Sequence, residues 1–244
     1  MSGPGVGART GNSTVDRQIP LSLSLQERAS FDNFHPQPGS TVVAMLQEIA
    51  SGDGPHLLYI WGPNGVGKSH LLHATCNLFG SDQRQSIVLP LKTLFAQGPA
   101  SLDGVGQYDL VALDDLDAVA GDSGWEESLF HLLNRLRDDG NHVLITAKTA
   151  PAELSMKLPD LRSRLGEGVV ERLTSLDDRE KWHVLQERAA SRGMEMGDEV
   201  ASFLMSRTSR DFHTLFSLLD QLDEHTLIAQ RRITIPFVKE LLSL

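Results

Sequence analysis

At 244 residues, 40% hydrophobic and 22% charged, the chain has room for one large domain or a mid-sized domain with a smaller companion. Its 22 Lys and Arg face 32 Asp and Glu, a formal charge of −10 with no dense basic stripe, which argues against free-standing binding to a nucleic-acid backbone. Apolar runs such as Leu57–Trp61 fall far short of a membrane span, no apolar leader follows Met1, and the lone Cys76 excludes an internal disulfide or a multi-cysteine zinc site. A soluble protein of a reducing compartment, the cytoplasm, is expected.

Residues 1–17 are rich in Gly, Ser, Thr and Asn and carry almost nothing to bury, so a disordered tail is expected there, followed by a linker over 18–30. From Phe31 to about residue 175, apolar runs alternate with helical patterns. The runs His56–Trp61, Ser86–Leu91, Leu110–Leu113, His142–Thr146 and Val169–Leu173 are short and bounded by turn or polar residues, as in strands covered by helices on both faces. Helices are expected over 41–50, 68–79, 125–139 and 159–165. In the third, Leu129, Phe130, Leu132, Leu133 and Leu136 repeat on one face and Gly140 supplies a stop. This alternation predicts an α/β domain over 31–175 with a parallel sheet flanked by helices. Beyond it, Asp177–Ala190, Asp198–Arg207, Asp211–Gln230 and Pro236–Leu242 read as helices, which predicts a small all-helical unit over 176–244.

The segment Gly62-Pro63-Asn64-Gly65-Val66-Gly67-Lys68-Ser69 fits G-x-x-x-x-G-K-[ST] and lies between an expected strand and an expected helix. Glycines let such a loop wrap phosphates so that successive backbone N–H groups point at them, and the helix N-terminus adds partial positive charge. Lys68 would reach the β- and γ-phosphates, and Ser69 would offer its hydroxyl to Mg²⁺. Further on, Leu110-Val111-Ala112-Leu113-Asp114-Asp115 reads as a buried strand ending in two carboxylates. Asp114 suits support of the metal and Asp115 the attacking water, whereas solvated acids at a strand end are the plainer alternative. His70 and His73 share a helix face without a third ligand in view and read as packing or surface residues. Trp61, Trp125 and Trp182 are scattered, which suits packing, and Cys76 reads as a small core residue.

With the phosphate loop, the double-acid strand and the helical C-terminal unit in that order, the chain resembles the AAA+ P-loop NTPases, and more narrowly the DnaA-related family. Phe31-Asp32-Asn33-Phe34 is similar to that family's opening box, which implies that Phe34 lines the adenine pocket. Gly121-Asp122 with Trp125-Glu126, Leu158-Pro159-Asp160-Leu161 with Ser163-Arg164-Leu165, and Ile233–Glu240 resemble the Hda-like regulators of that family, over roughly residues 18–244. The resemblance implies bound ADP or ATP with Mg²⁺, held by Phe34, the loop from Gly62 to Ser69, His70, Asp114, Thr146 and His213. It implies that Gln18, Ile19, Leu21 and Leu23 form a peptide for the β sliding clamp of DNA polymerase III, the alternative being a linker packed on its own domain. It makes Arg164 an arginine finger acting in trans on ATP held by DnaA, with Arg162 or an ion pair to Asp160 as alternatives. No DnaA-type DNA-binding domain follows the lid, so no sequence-specific DNA binding is expected, and monomer and homodimer stay open. Two departures bear on self-hydrolysis: His213 stands where the family usually has arginine, and Thr146-Ala147-Lys148 replaces a segment that often ends in an acid. The resemblance thus implies stimulation of DnaA's ATPase to block re-initiation; a self-hydrolysing ATPase such as a helicase loader, or a non-catalytic adaptor between clamp and initiator, are the alternatives.

Overall fold

The computed structural model describes residues 29–36, 39–80, 84–191, 193–207 and 233–241, with the helical positions 215, 218, 219, 221 and 222. Helix α1 (Val42–Ser51) leads to strand β1 (Leu57–Trp61), and α2 (Lys68–Phe79) to β2 (Ser86–Pro90). A four-residue helix α3 (Leu91–Leu94) follows, then β3 (Leu110–Asp114), α4 (Ser123–Asp138) and β4 (His142–Ala147). Helix α5 (Pro159–Gly166) and β5 (Val169–Arg172) complete the α/β part, and α6 (Asp178–Ser191), α7 (Asp198–Arg207) and α8 (Ile235–Leu241) follow.

All strand pairs are parallel, in the order β2-β3-β4-β1-β5. Alternate residues of each strand face opposite sides, so one sequence feeds two cores. Leu57 and Tyr59 of β1 join Val111, Leu113, Val143 and Ile145 under α4 and α5, around Trp125, Leu129, Leu133, Leu136, Leu161 and Leu165. Leu58 and Ile60 join Leu110, Ala112 and Leu144 on the other face, against Val42, Leu46 and Ile49 of α1 and Leu71, Leu72, Cys76 and Phe79 of α2. A third cluster holds the C-terminal helices together through Leu185, Met194, Leu204, Leu215, Leu219, Leu222 and Val238. No helix among the described residues is long and apolar enough to cross a membrane.

The five strands and the first four expected helices stand within a residue or two of where the pattern puts them. Helix α4 begins two residues early because the Asp122 carboxylate accepts from Gly124 N at 3.0 Å and Trp125 N at 3.1 Å, closing its N-terminus. It ends at Asp138, and Gly140 just beyond takes a φ of 75°, which favours a residue without Cβ. Three differences have physical causes. Leu91 does not extend β2: the ladder stops at Pro90, which has no N–H to give, and Leu91 turns inward as the first residue of α3. The segment after it, to which periodicity assigned no element, is a chain of 3₁₀ turns (Phe95–Gln97, Pro99–Leu102, Val105–Gln107) broken by glycines and pinned by buried Leu102 and Val105. Finally, β5 is not covered on both sides: as the sheet edge it leaves Val169 and Val170 36% and 39% exposed. The expected tail over 1–17 and most of Asp211–Gln230 lie outside the described residues.

Candidate functional site

Three of the strands end together. Ile60 stands opposite Thr146 and Trp61 opposite Ala147, while Leu113 stands opposite Ile145. The loop leaving β1, the acids ending β3 and Thr146 of β4 therefore meet at the C-terminal edge of the sheet. Gly62 N–H donates to Ala147 O at 3.2 Å, and a Cβ on Gly62 would lie 2.1 Å from Leu173 O, so the loop can start here only without a side chain. Gly65 and Gly67 take φ of 79° and 94°, and Gly67 begins α2. Pro63, Asn64 and Gly65 are exposed and Val66 packs on the core beside α1.

Lys68 is 6% exposed, and its Nζ donates to the loop's own carbonyls, Gly62 O and Pro63 O, both at 2.8 Å. Burial pulls its pKa down, while Asp115 and Asp114 oppose the shift by favouring the charged ammonium. Ser69 is exposed on the first turn of α2. The Phe34 ring lies over Gly67, where an added Cβ would meet it at 2.7 Å, and stacks against His70 with centroids 6.3 Å apart. His70 is held in turn by Ser30 O at 2.9 Å from Nε2.

Asp114 is 9% exposed and accepts a hydrogen bond from the Thr146 hydroxyl, which itself accepts from Asp115 N–H at 3.1 Å. One hydroxyl thus orients both acids. Asp115 is the only described non-glycine residue at positive φ (59°), a left-handed conformation that costs free energy. Its carboxyl pKa is raised, first by burial and then by Asp114 and Asp117. Sequence reasoning missed the partner across the turn: Asp117 accepts from Lys148 N at 3.0 Å and pairs with Lys148 Nζ at 2.9 Å. The only signal was an acid and a base beyond neighbouring strand ends.

The glycine-lined loop, the buried amine behind it and the adjoining carboxylates fit a nucleotide's phosphates with Mg²⁺. No cluster of three or more His, Cys, Asp or Glu among the described residues could cage a metal. Magnesium needs none, since it is commonly held by one or two protein oxygens with phosphates and water, and Ser69 and Asp114 supply such oxygens.

Arg164 lies elsewhere. It sits near the end of α5, and its charge is among those that oppose protonation of His56, the residue before β1. The opposite end of that strand carries the phosphate loop. Its guanidinium pairs with Glu167 at 2.5 Å, not with Asp160, and its Nε is buried without a partner. Arg162 is exposed. Gln18, Ile19, Leu21, Leu23 and His213 lie outside the described residues.

A parallel sheet in this order, with a phosphate loop after β1, paired acids after β3 and a helical unit behind, defines an AAA+ P-loop protein. The model for the bacterial DnaA ATPase domain matches residues 102–172, and that for the Hda lid domain matches residues 178–242. Domain III of Thermotoga maritima replication initiation protein DnaA superposes with a TM-score of 0.71 at 22% identity, covering 88% of this chain and 95% of that one. AMPPCP-bound DnaA from Aquifex aeolicus follows at 0.67 and 20%, covering 81% and 65%. A Thermotoga maritima RuvB variant shares the fold at 0.62 and 19%, covering 90% and 72%. An uncharacterised Haemophilus influenzae protein is 42% identical over 231 residues, 94% of this chain and all of the relative. The chain belongs to the Hda/DnaA-related AAA+ family.

Proposed function

We propose that this protein is a regulator that binds ADP or ATP with Mg²⁺ and, tethered to the DNA polymerase III sliding clamp, stimulates ATP hydrolysis by DnaA in trans. The outcome is DnaA in its ADP form and no re-initiation. The observation that carries this reading is the combination of an Hda-type lid with a basic residue, Arg164, set at the far end of the sheet from the chain's own phosphate loop. A guanidinium at that end stands apart from the chain's own phosphate loop, as a group serving a neighbour must.

Within the chain's own site, Lys68 would bind the β- and γ-phosphates, Ser69 and Asp114 would hold Mg²⁺, and Phe34 with His70 would border the base. Thr146 keeps Asp114 and Asp115 in register. Bound Mg²⁺ supplies charge neutralisation at the phosphates. His213 and Lys148, in place of the usual arginine and acid, support weak turnover of this nucleotide, whose role is then structural.

Arg164 would act by exchanging Glu167 for charge on the transferring phosphoryl group, a type of contact worth about 10³–10⁵ in rate. Clamp docking rests on Gln18, Ile19, Leu21 and Leu23. The partners are thus DnaA and the clamp.

The test is the rate of ATP loss from DnaA preloaded with labelled ATP, with clamp on DNA, comparing the protein with Arg164→Ala. Stimulation by the first and none by the second, with clamp binding intact, is expected. Equal stimulation by both would leave an adaptor, and none by either would favour a self-hydrolysing ATPase. That second reading is kept by the assembled Lys68, Asp114 and Asp115, and it requires turnover by the purified protein that Asp115→Asn abolishes.

A further inference from the structure

Five polar or charged residues are buried among the described residues: Lys68, Thr75, Asp114, Glu126 and Thr146. Lys68, Asp114 and Thr146 belong to the site above, and Thr75 bonds Leu71 O of its own helix. Glu126 is left without a role. It is 0% exposed and sits in the first turn of α4, on the same stripe as Leu129, Leu133 and Leu136. A carboxyl group taken wholly out of water is costly unless its oxygens are bonded.

Its partners are all main-chain N–H groups. Oε1 accepts from Gly121 at 2.7 Å and from Lys157 at 3.2 Å. Oε2 accepts from Lys157 at 2.9 Å and from Leu158 at 2.7 Å. Gly121 ends the turn that begins at Asp115, and a Cβ there would lie 3.4 Å from Ser155 O, so the two loops run side by side. Leu158 is the residue that caps α5, with no side-chain cap bond of its own, and Pro159 follows it. One carboxyl group thus ties the turn after the paired acids to the first residues of the helix that carries Arg164. Leu161 and Leu165 anchor the inner face of that helix at 0% exposure. They resist its lifting off, while the Glu126 bonds define where along its axis it starts.

We propose that Glu126 is the positioning residue of α5, setting the height and rotation at which Arg164 is presented to a neighbouring subunit. This rests on the finger reading of Arg164. Glu126 touches no reacting group. It acts through the Lys157 and Leu158 amides.

The experiment uses the full chain with Glu126→Gln, which keeps the side-chain shape and replaces one acceptor oxygen by a donor. Amide hydrogen exchange across 155–166 is expected to quicken severalfold while exchange across 62–69 and the chain's own ADP affinity stay as they were. In the DnaA assay the maximal stimulated rate falls at an unchanged half-saturating concentration. Should the amide variant fail to fold, Glu126→Asp, one methylene short of the same amides, takes its place with the same readings. Unchanged exchange across 155–166, or an unchanged maximal stimulated rate, overturns the proposal while leaving the finger intact. If Arg164→Ala itself keeps full stimulation, the finger reading falls and this inference falls with it.

Discussion

At Asp115 the protein holds one residue in two unfavourable states at once. Its backbone is left-handed, and its carboxyl group is partly buried beside Asp114 and Asp117. Both penalties ease in Asp115→Asn, since asparagine tolerates the left-handed region and carries no charge. The free chain should therefore melt higher at neutral pH, on the order of 2 °C for ~0.5–1 kcal/mol in a protein of this size, as thermal unfolding would show. A fall in melting temperature would mean that the carboxylate is a net structural asset of the turn. Lys68 works in the other direction. Its ammonium satisfies two loop carbonyls in the free chain, so Lys68→Ala removes a phosphate ligand and also leaves Gly62 O and Pro63 O without that donor. Nucleotide affinity by titration calorimetry should fall about 10–100-fold, the equivalent of one charged hydrogen bond of ~1.5–3 kcal/mol.

Among the elements, α4 carries the most. Its inner stripe fills the core below the sheet, its first turn holds Glu126, and its start depends on Asp122. Asp122→Ala leaves the Gly124 and Trp125 amides without their side-chain acceptor and should cost about 0.5–2 kcal/mol, read as a lower urea midpoint at unchanged slope. The run from Leu91 to Gln107 behaves oppositely: short turns closed by single local bonds such as Gly98 N–H to Phe95 O and Asp103 N–H to Ala100 O, held by a few buried apolar side chains. Periodicity finds an element only where several turns repeat, so α4 was legible and this segment was not.

Over the whole molecule, two half-buried histidines should make stability depend on pH. His56 and His73 both have lowered pKa values, chiefly because burial penalises the imidazolium. A group whose folded pKa lies below its unfolded value near 6.5 contributes stability above that value, and the contribution is lost as pH falls toward the folded one. The melting temperature should thus decline as pH drops from about 7 to about 5.5, and replacing both by asparagine should flatten the decline. A slope unchanged in the double variant would assign it to other groups.

Several features follow from the sequence by itself. The strand–loop–helix around Gly62–Ser69, the acids ending β3, the alternation that makes the sheet parallel, and the Asp198–Arg207 helix are local patterns in which neighbours in the chain specify the outcome. The tertiary structure alone decided which strands meet and in what order, and therefore that Thr146, on β4, would bond the Asp114 carboxylate and the Asp115 main-chain N–H. It also decided that Lys148 would pair with Asp117 and Arg164 with Glu167, that β5 would be an edge, and that Glu126 would bind amides 31 and 32 residues away. These contacts join residues far apart in sequence or compete among several equally charged candidates. Their geometry is set by how the helices pack on the sheet, which no local pattern encodes.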